Sequence, residues 1–76
     1  MEELVAHIAR SLVDNADAVR VSRSDDSETV IIELAVAPED LGKVIGKQGR
    51  TARAMRSLLA ALATRENRRS RLEIVE

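Results

Sequence analysis

From Glu2 to Val13 the apolar residues Leu4, Val5, Ile8, Leu12 and Val13 follow the three-and-four spacing of one helical face. The segment therefore predicts an amphipathic helix. Asp14-Asn15-Ala16-Asp17 supplies turn-forming side chains, after which the period changes. Ala18-Val19-Arg20-Val21-Ser22-Arg23 reads as a half-buried strand, and Ser24-Asp25-Asp26-Ser27 as a polar turn. Thr29 to Val36 is rich in β-branched residues and sets Val30, Ile32, Leu34 and Val36 on one face. The two strands are expected to pair as an antiparallel hairpin.

Pro38 ends the second strand and suits the first turn of a helix, with Glu39 and Asp40 near the positive helix end. That short helix is expected to run to about Ile45. Gly46 and Gly49 interrupt it, and a longer helix follows from about Arg50 to Thr64 with Met55, Leu58, Leu59 and Leu62 on its buried face and Asn67 near its end. Arg71 to Val75 alternates again, with Leu72 and Ile74 inward, as a third strand. The order α-β-β-α-α-β implies an α+β fold, a three-stranded sheet with three helices packed on one face. No linker or repeat divides residues 1–76, so one domain is expected, with the loop between the last two helices at an exposed edge.

Composition adds a constraint on stability. A chain of 76 residues without cysteine has no disulfide, and without any Phe, Tyr or Trp its core rests on Leu, Ile, Val, Ala and Met. So thin a core gains from self-association, for which part of the Met55–Leu62 helix is a candidate surface. The acidic start and the lack of any apolar run near the roughly 20 residues of a membrane span lead us to expect a soluble, cytoplasmic protein without membrane insertion. The formal charge of −1 conceals an asymmetry: residues 1–41 hold three basic and ten acidic side chains, residues 42–76 nine basic and three acidic. The asymmetry alone fits one electropositive face suited to a polyanion and an ordinary solvated charge pattern equally well.

The basic half contains the candidate chemistry. A helix broken at Gly46 and restarted after Gly49 directs free backbone N–H groups outward, where a phosphate is the natural guest. Glycines allow the sharp turn and close approach of a ligand backbone. Lys47 and Arg50 place positive charge at the tip, and Gln48 can hydrogen-bond a sugar or phosphate. Val44 and Ile45 form an apolar shoulder, while Arg53 and Arg56 lie on the exposed side of the following helix. Gly-x-x-Gly alone also describes a plain corner between helices. The basic tip, the shoulder and the helical arginines together favour nucleic acid.

The rival chemistries fit less well. Gly42 to Gln48 has three residues between its first two glycines where a P-loop needs four, and Gln48 follows the lysine where that motif has Ser or Thr. His7 sits far in sequence from the loop, no acid, base or nucleophile set emerges, and no enzyme activity, cofactor or metal is expected. Asp25, Asp26 and Glu28 read as a solvated turn. Arg65, Arg68, Arg69 and Arg71 suit the negative end of a helix, with accessory phosphate contact as a second reading. A protein-interaction module with an idle loop is the remaining alternative, and the charge retained at Lys47 and Arg50 argues against it.

Val44-Ile45-Gly46-Lys47-Gln48-Gly49-Arg50 resembles the signature loop of K-homology (KH) domains, and the element order resembles their type II arrangement over nearly the whole chain. A stand-alone domain of this length is similar to the small bacterial single-KH RNA-binding proteins. The resemblance implies a groove between the two helices, the loop and the adjoining strand edge, taking about four nucleotides of single-stranded RNA. It implies that Gly46, Lys47, Gln48 and Gly49 clamp the sugar-phosphate backbone with help from Arg50. Leu41, Val44 and Ile45 would form the apolar wall, with Lys43 and Arg53 completing the RNA-binding set. Bases lying on aliphatic side chains need no aromatic residues, unlike the base-stacking sheet of an RRM. The resemblance further implies a homodimer, partnership with a larger KH-containing bacterial protein, and a regulatory or RNA-chaperone role linked to cell-envelope and division control.

Overall fold

The computed structural model describes residues 1–75. Helix α1 spans Glu2–Leu12, strands β1 and β2 span Arg20–Asp26 and Thr29–Ala35, helices α2 and α3 span Leu41–Ile45 and Arg50–Arg65, and strand β3 spans Arg69–Val75. Single 3₁₀ turns at Ala16–Ala18, Pro38–Asp40 and Lys47–Gly49 link them. The expected α-β-β-α-α-β order is therefore present.

The sheet has the order β1-β2-β3, with β1 antiparallel and β3 parallel to the central β2. A parallel return needs a crossover, and α2 and α3 supply it. Val30, Ile32 and Leu34 of β2 are wholly buried and share one core cluster with Val5 and Ala9 of α1, Val44 of α2, and Met55 and Leu59 of α3. All three helices thus cover the face of the sheet that the alternation of β2 selects.

Both boundaries of β1 differ from expectation, and β3 starts at Arg69 rather than Arg71. Strand β1 starts at Arg20 rather than Ala18, because the chain first turns through Ala16–Ala18. It continues through Asp26, and only Ser27 and Glu28 remain as the turn, with Ser27 at φ 57°. The acidic residues can join the strand because ladder pairing continues to Asp26↔Thr29 and because Asp25 is bridged by Arg68 at 2.7 Å and Arg23 at 3.3 Å.

The buried stripe of α3 also departs from expectation. Ala52, Met55, Leu59 and Ala63 face the core, Leu62 is half-buried, and Leu58 is 48% exposed. At 3.6 residues per turn Leu58 lies roughly 100° around the helix from the centre of that stripe. Alanines at either end of the stripe let the helix sit close to the sheet. The helix closes on Asn67 at φ 60°, with the Arg68 N–H bonded to the Ala63 carbonyl at 2.8 Å and the Asn67 N–H to that of Thr64 at 3.0 Å. This is a Schellman closure, and asparagine tolerates the left-handed conformation it requires.

Asp40 is a charged residue with no exposed surface. Its carboxylate accepts the Asn15 N–H at 3.0 Å and the Asp14 N–H at 3.3 Å, tying the α1–β1 connection to the start of α2. Lys43 reaches the same carboxylate at 3.3 Å and also binds Asp14. The Asn15 hydrogen bond, aided by Asp14 and Lys43 against the cost of burial, holds the Asp40 carboxyl below its ordinary 3.8. A carboxyl lowered by folding adds stability above that ordinary value and loses it as pH falls through the lowered one. Asp40→Asn is therefore expected to lower the melting temperature at pH 6 and to converge with the parent chain in strong acid. Thermal melts across pH check this, and a gap that does not change with pH would refute it.

Candidate nucleic-acid interface

Helix α2 ends where the Gly46 N–H bonds to the Gly42 carbonyl at 2.9 Å. Gly46, Gln48 and Gly49 then take positive φ values of 79°, 57° and 73°, reversing the chain between the helices. Glycine at 46 is required for two reasons. At φ 79° and ψ 169° its backbone lies in a region essentially reserved for glycine, and a Cβ there would come within 2.9 Å of the Thr51 backbone nitrogen. Gly49 differs, since a Cβ there would meet nothing within 4 Å and only its left-handed backbone is at issue. Gly49 is also the N-cap of α3, so no side chain caps that helix. The positive end of the helix dipole is left to whatever approaches the loop.

Two arginines brace the loop. Arg53 donates to the Gln48 carbonyl at 2.8 Å, and Arg50 to the Gln48 Oε1 at 3.2 Å. Lys47 is exposed and has no ion-pair partner among the described residues. Beside the loop lies a groove of about 420 Å³ lined by Ile45, Gln48, Gly49, Ala52, Arg53, Arg56 and Ile74. Its apolar residues come from the end of α2, the first turn of α3 and the end of β3, while its arginines follow the i, i+3 spacing of α3.

The far wall is the free edge of β3. Arg69 donates its N–H to Glu28, and the Val75 carbonyl accepts from Val36, so these alternate residues turn toward the β2 side. The N–H and C=O groups of Ser70, Leu72 and Ile74 therefore point away from β2. The Leu72 carbonyl accordingly accepts from Arg56 at 3.4 Å. An unpaired strand edge beside an apolar groove can hydrogen-bond the edges of bases lying in it.

The structure brings together Ile45, Gly46, Lys47, Gln48, Gly49, Arg50 and Arg53 at this place. It redirects three members of the expected set. Val44 is wholly buried and packs into the core, so its side chain is not part of the groove wall. Lys43 lies in the ion pairs with Asp14 and Asp40, and these, the Asp14 hydrogen bond first, raise its ammonium pKa above the ordinary 10.5. Leu41 is partly buried against the core rather than lining the groove. Ala52 and Ile74 were missed. The inward alternation of Ile74 was visible in the sequence, but its place at the mouth of the groove depends on which edge of the sheet β3 occupies.

A helix–Gly-x-x-Gly–helix unit crossing over between parallel strands of a three-stranded sheet is the arrangement of a KH domain. The chain matches the family described as KhpA/KhpB, KH domain, over residues 2–74, and it belongs to that family, whose members are not enzymes. It is 58% identical over 76 residues to a protein of Halalkalibacterium halodurans, covering 100% of both chains. It is 56% identical over 75 residues to one of Caldanaerobacter subterraneus, covering 99% of this chain and 100% of that one. A third, from Aquifex aeolicus, is 50% identical over 76 residues, covering 100% of this chain and 96% of its own. Each is named RNA-binding protein KhpA. No solved structure matches the chain. Among the described residues no helix is long and apolar enough to cross a membrane.

Proposed function

We propose that this domain binds single-stranded RNA by clamping its sugar-phosphate backbone at Gly46, Lys47, Gln48 and Gly49 while about four bases lie in the adjoining groove. The observation that carries the reading is the uncapped start of α3 with the unpaired Lys47 beside it, opening onto a groove with an apolar floor. Arg50 and Arg53 hold the loop in shape and add charge, and Ile45, Ala52 and Ile74 support the bases. The free β3 edge offers hydrogen bonds to base edges. The names of the relatives support RNA as the ligand. Titration of a short fluorescent single-stranded RNA, followed by anisotropy with and without the paired substitution Lys47→Asp and Gln48→Asp, tests the clamp.

The same proposal includes a homodimer working in the cytoplasm, alone or with a larger KH-containing protein, as an RNA regulator or chaperone linked to envelope and division control. The exposed Leu58 on α3, next to half-buried Leu62, supports self-association in a chain whose core lacks aromatic residues. Leu58→Asp is expected to shift the protein to monomer at concentrations on the order of tens of micromolar, where small interfaces dissociate. Sedimentation equilibrium reads this directly. A parent chain that is already monomeric there would count against the dimer.

A further inference from the structure

A second cavity of about 430 Å³ lies along the same seam, lined by Arg56, Ala60, Ser70, Arg71, Leu72 and Glu73. It shares Arg56 with the clamp groove. Ala52 and Ile74 flank the first cavity, and Ala60 and Ser70 flank the second. The helix rises roughly 12 Å between those positions and the strand advances roughly 13 Å, so the two cavities lie end to end between α3 and β3. We propose that this second cavity is an RNA subsite continuous with the clamp, holding the stretch of single strand that leaves the clamped segment toward the Ser70 end.

The inference rests on the clamp reading and extends it. Ala60 and Ser70 are small, which leaves room for a base, and the outward backbone groups of Ser70 and the N–H of Leu72, whose carbonyl accepts from Arg56, continue the hydrogen-bonding edge found beside the first groove. Arg56 stands at the junction and Arg71 at the rim. Arg71 pairs with Glu73 at 3.1 Å, with side chains 62% and 41% exposed. An exposed pair of this kind contributes little, so Arg71 can exchange Glu73 for a phosphate at small cost. Glu73 is the element that opposes RNA here. The added path has room for on the order of two to four nucleotides, at about 3.4 Å each when stacked and more when extended.

The test compares RNAs of about four and about eight nucleotides by anisotropy at matched salt, using the full chain, Arg71→Ala, Glu73→Gln and the loop variant Lys47→Asp with Gln48→Asp. Arg71→Ala is expected to weaken the longer RNA by about three- to tenfold and to lower its salt slope by about 0.7, the loss of one phosphate contact on a single strand. Glu73→Gln is expected to tighten the longer RNA by a similar factor. Neither changes the shorter RNA. Because extra binding registers on a longer strand affect all chains alike, opposite shifts in these two variants report on the subsite itself. If both variants leave the longer RNA unchanged, or alter both lengths equally, the subsite is refuted even where the loop variant abolishes binding. If the loop variant still binds both lengths, it is the clamp reading that fails.

Discussion

Placing two aspartates in the loop, Lys47→Asp with Gln48→Asp, is expected to reduce affinity for short single-stranded RNA by about 100-fold or more while leaving the fold intact. The size follows from what is removed. A charge-assisted hydrogen bond contributes about 1.5–3 kcal/mol, and about 1.4 kcal/mol is a factor of ten in affinity. The variant deletes the unpaired ammonium at Lys47 and the amide donor of Gln48, and sets two carboxylates where phosphate is to sit. The fold is expected to survive because both residues are exposed. Aspartate also tolerates the left-handed backbone found at Gln48, with φ 57° and ψ 26°. For the parent chain, log affinity is expected to fall against log salt with a slope of about −0.7 for each phosphate neutralised. Circular dichroism and RNA anisotropy that are both unchanged in the variant would remove the loop from the binding site.

The second large effect concerns stability. Gly46→Ala is expected to destabilise the domain by about 2–4 kcal/mol, combining the backbone strain of a glycine-only region with steric overlap against Thr51. The added methyl would lie 2.8 Å from the Thr51 Cβ and 2.9 Å from its backbone nitrogen, atoms held by α3 and unable to rotate away. In a domain of this size about 1 kcal/mol moves the melting temperature by roughly 4–8 °C, so the change is large against a thin margin. Gly49→Ala is the matched control. It meets open space and bears only the left-handed penalty of about 1–2 kcal/mol. Thermal melts giving the two substitutions equal cost would show that the contact with Thr51 relaxes freely.

Much of this architecture is visible along the chain because its signals are local. The β2 alternation at Val30, Ile32 and Leu34 and the α1 spacing at Val5 and Ile8 depend on neighbours within a turn or two. The loop was readable for the same reason, since paired glycines around a basic tip need no distant partner to be recognised. The failures share a different cause. Leu58 and Ala63 have an apolar residue and a small one in the opposite roles from those hydropathy suggests, because the sheet, not the helix, decides which stripe is covered. Val44 looks like groove wall and is core. Lys43 looks like part of a basic tip, yet Asp14 and Asp40 hold its ammonium. Asp40 itself reads as an ordinary acidic residue near a helix start and is a buried tie between distant segments.

By itself, then, the amino-acid sequence determined the elements, their order, the α+β class and the place of the loop between Gly46 and Gly49, all of which follow from periodicity, turn chemistry and glycine stereochemistry over short spans. Tertiary structure alone decided that β3 runs parallel to β2 at the edge of the sheet. That placement aligns α3 with an unpaired strand edge and creates the two cavities between them. The physical reason is that a groove, an ion pair and a free strand edge are relations between residues far apart in the chain, fixed only once the crossover is packed.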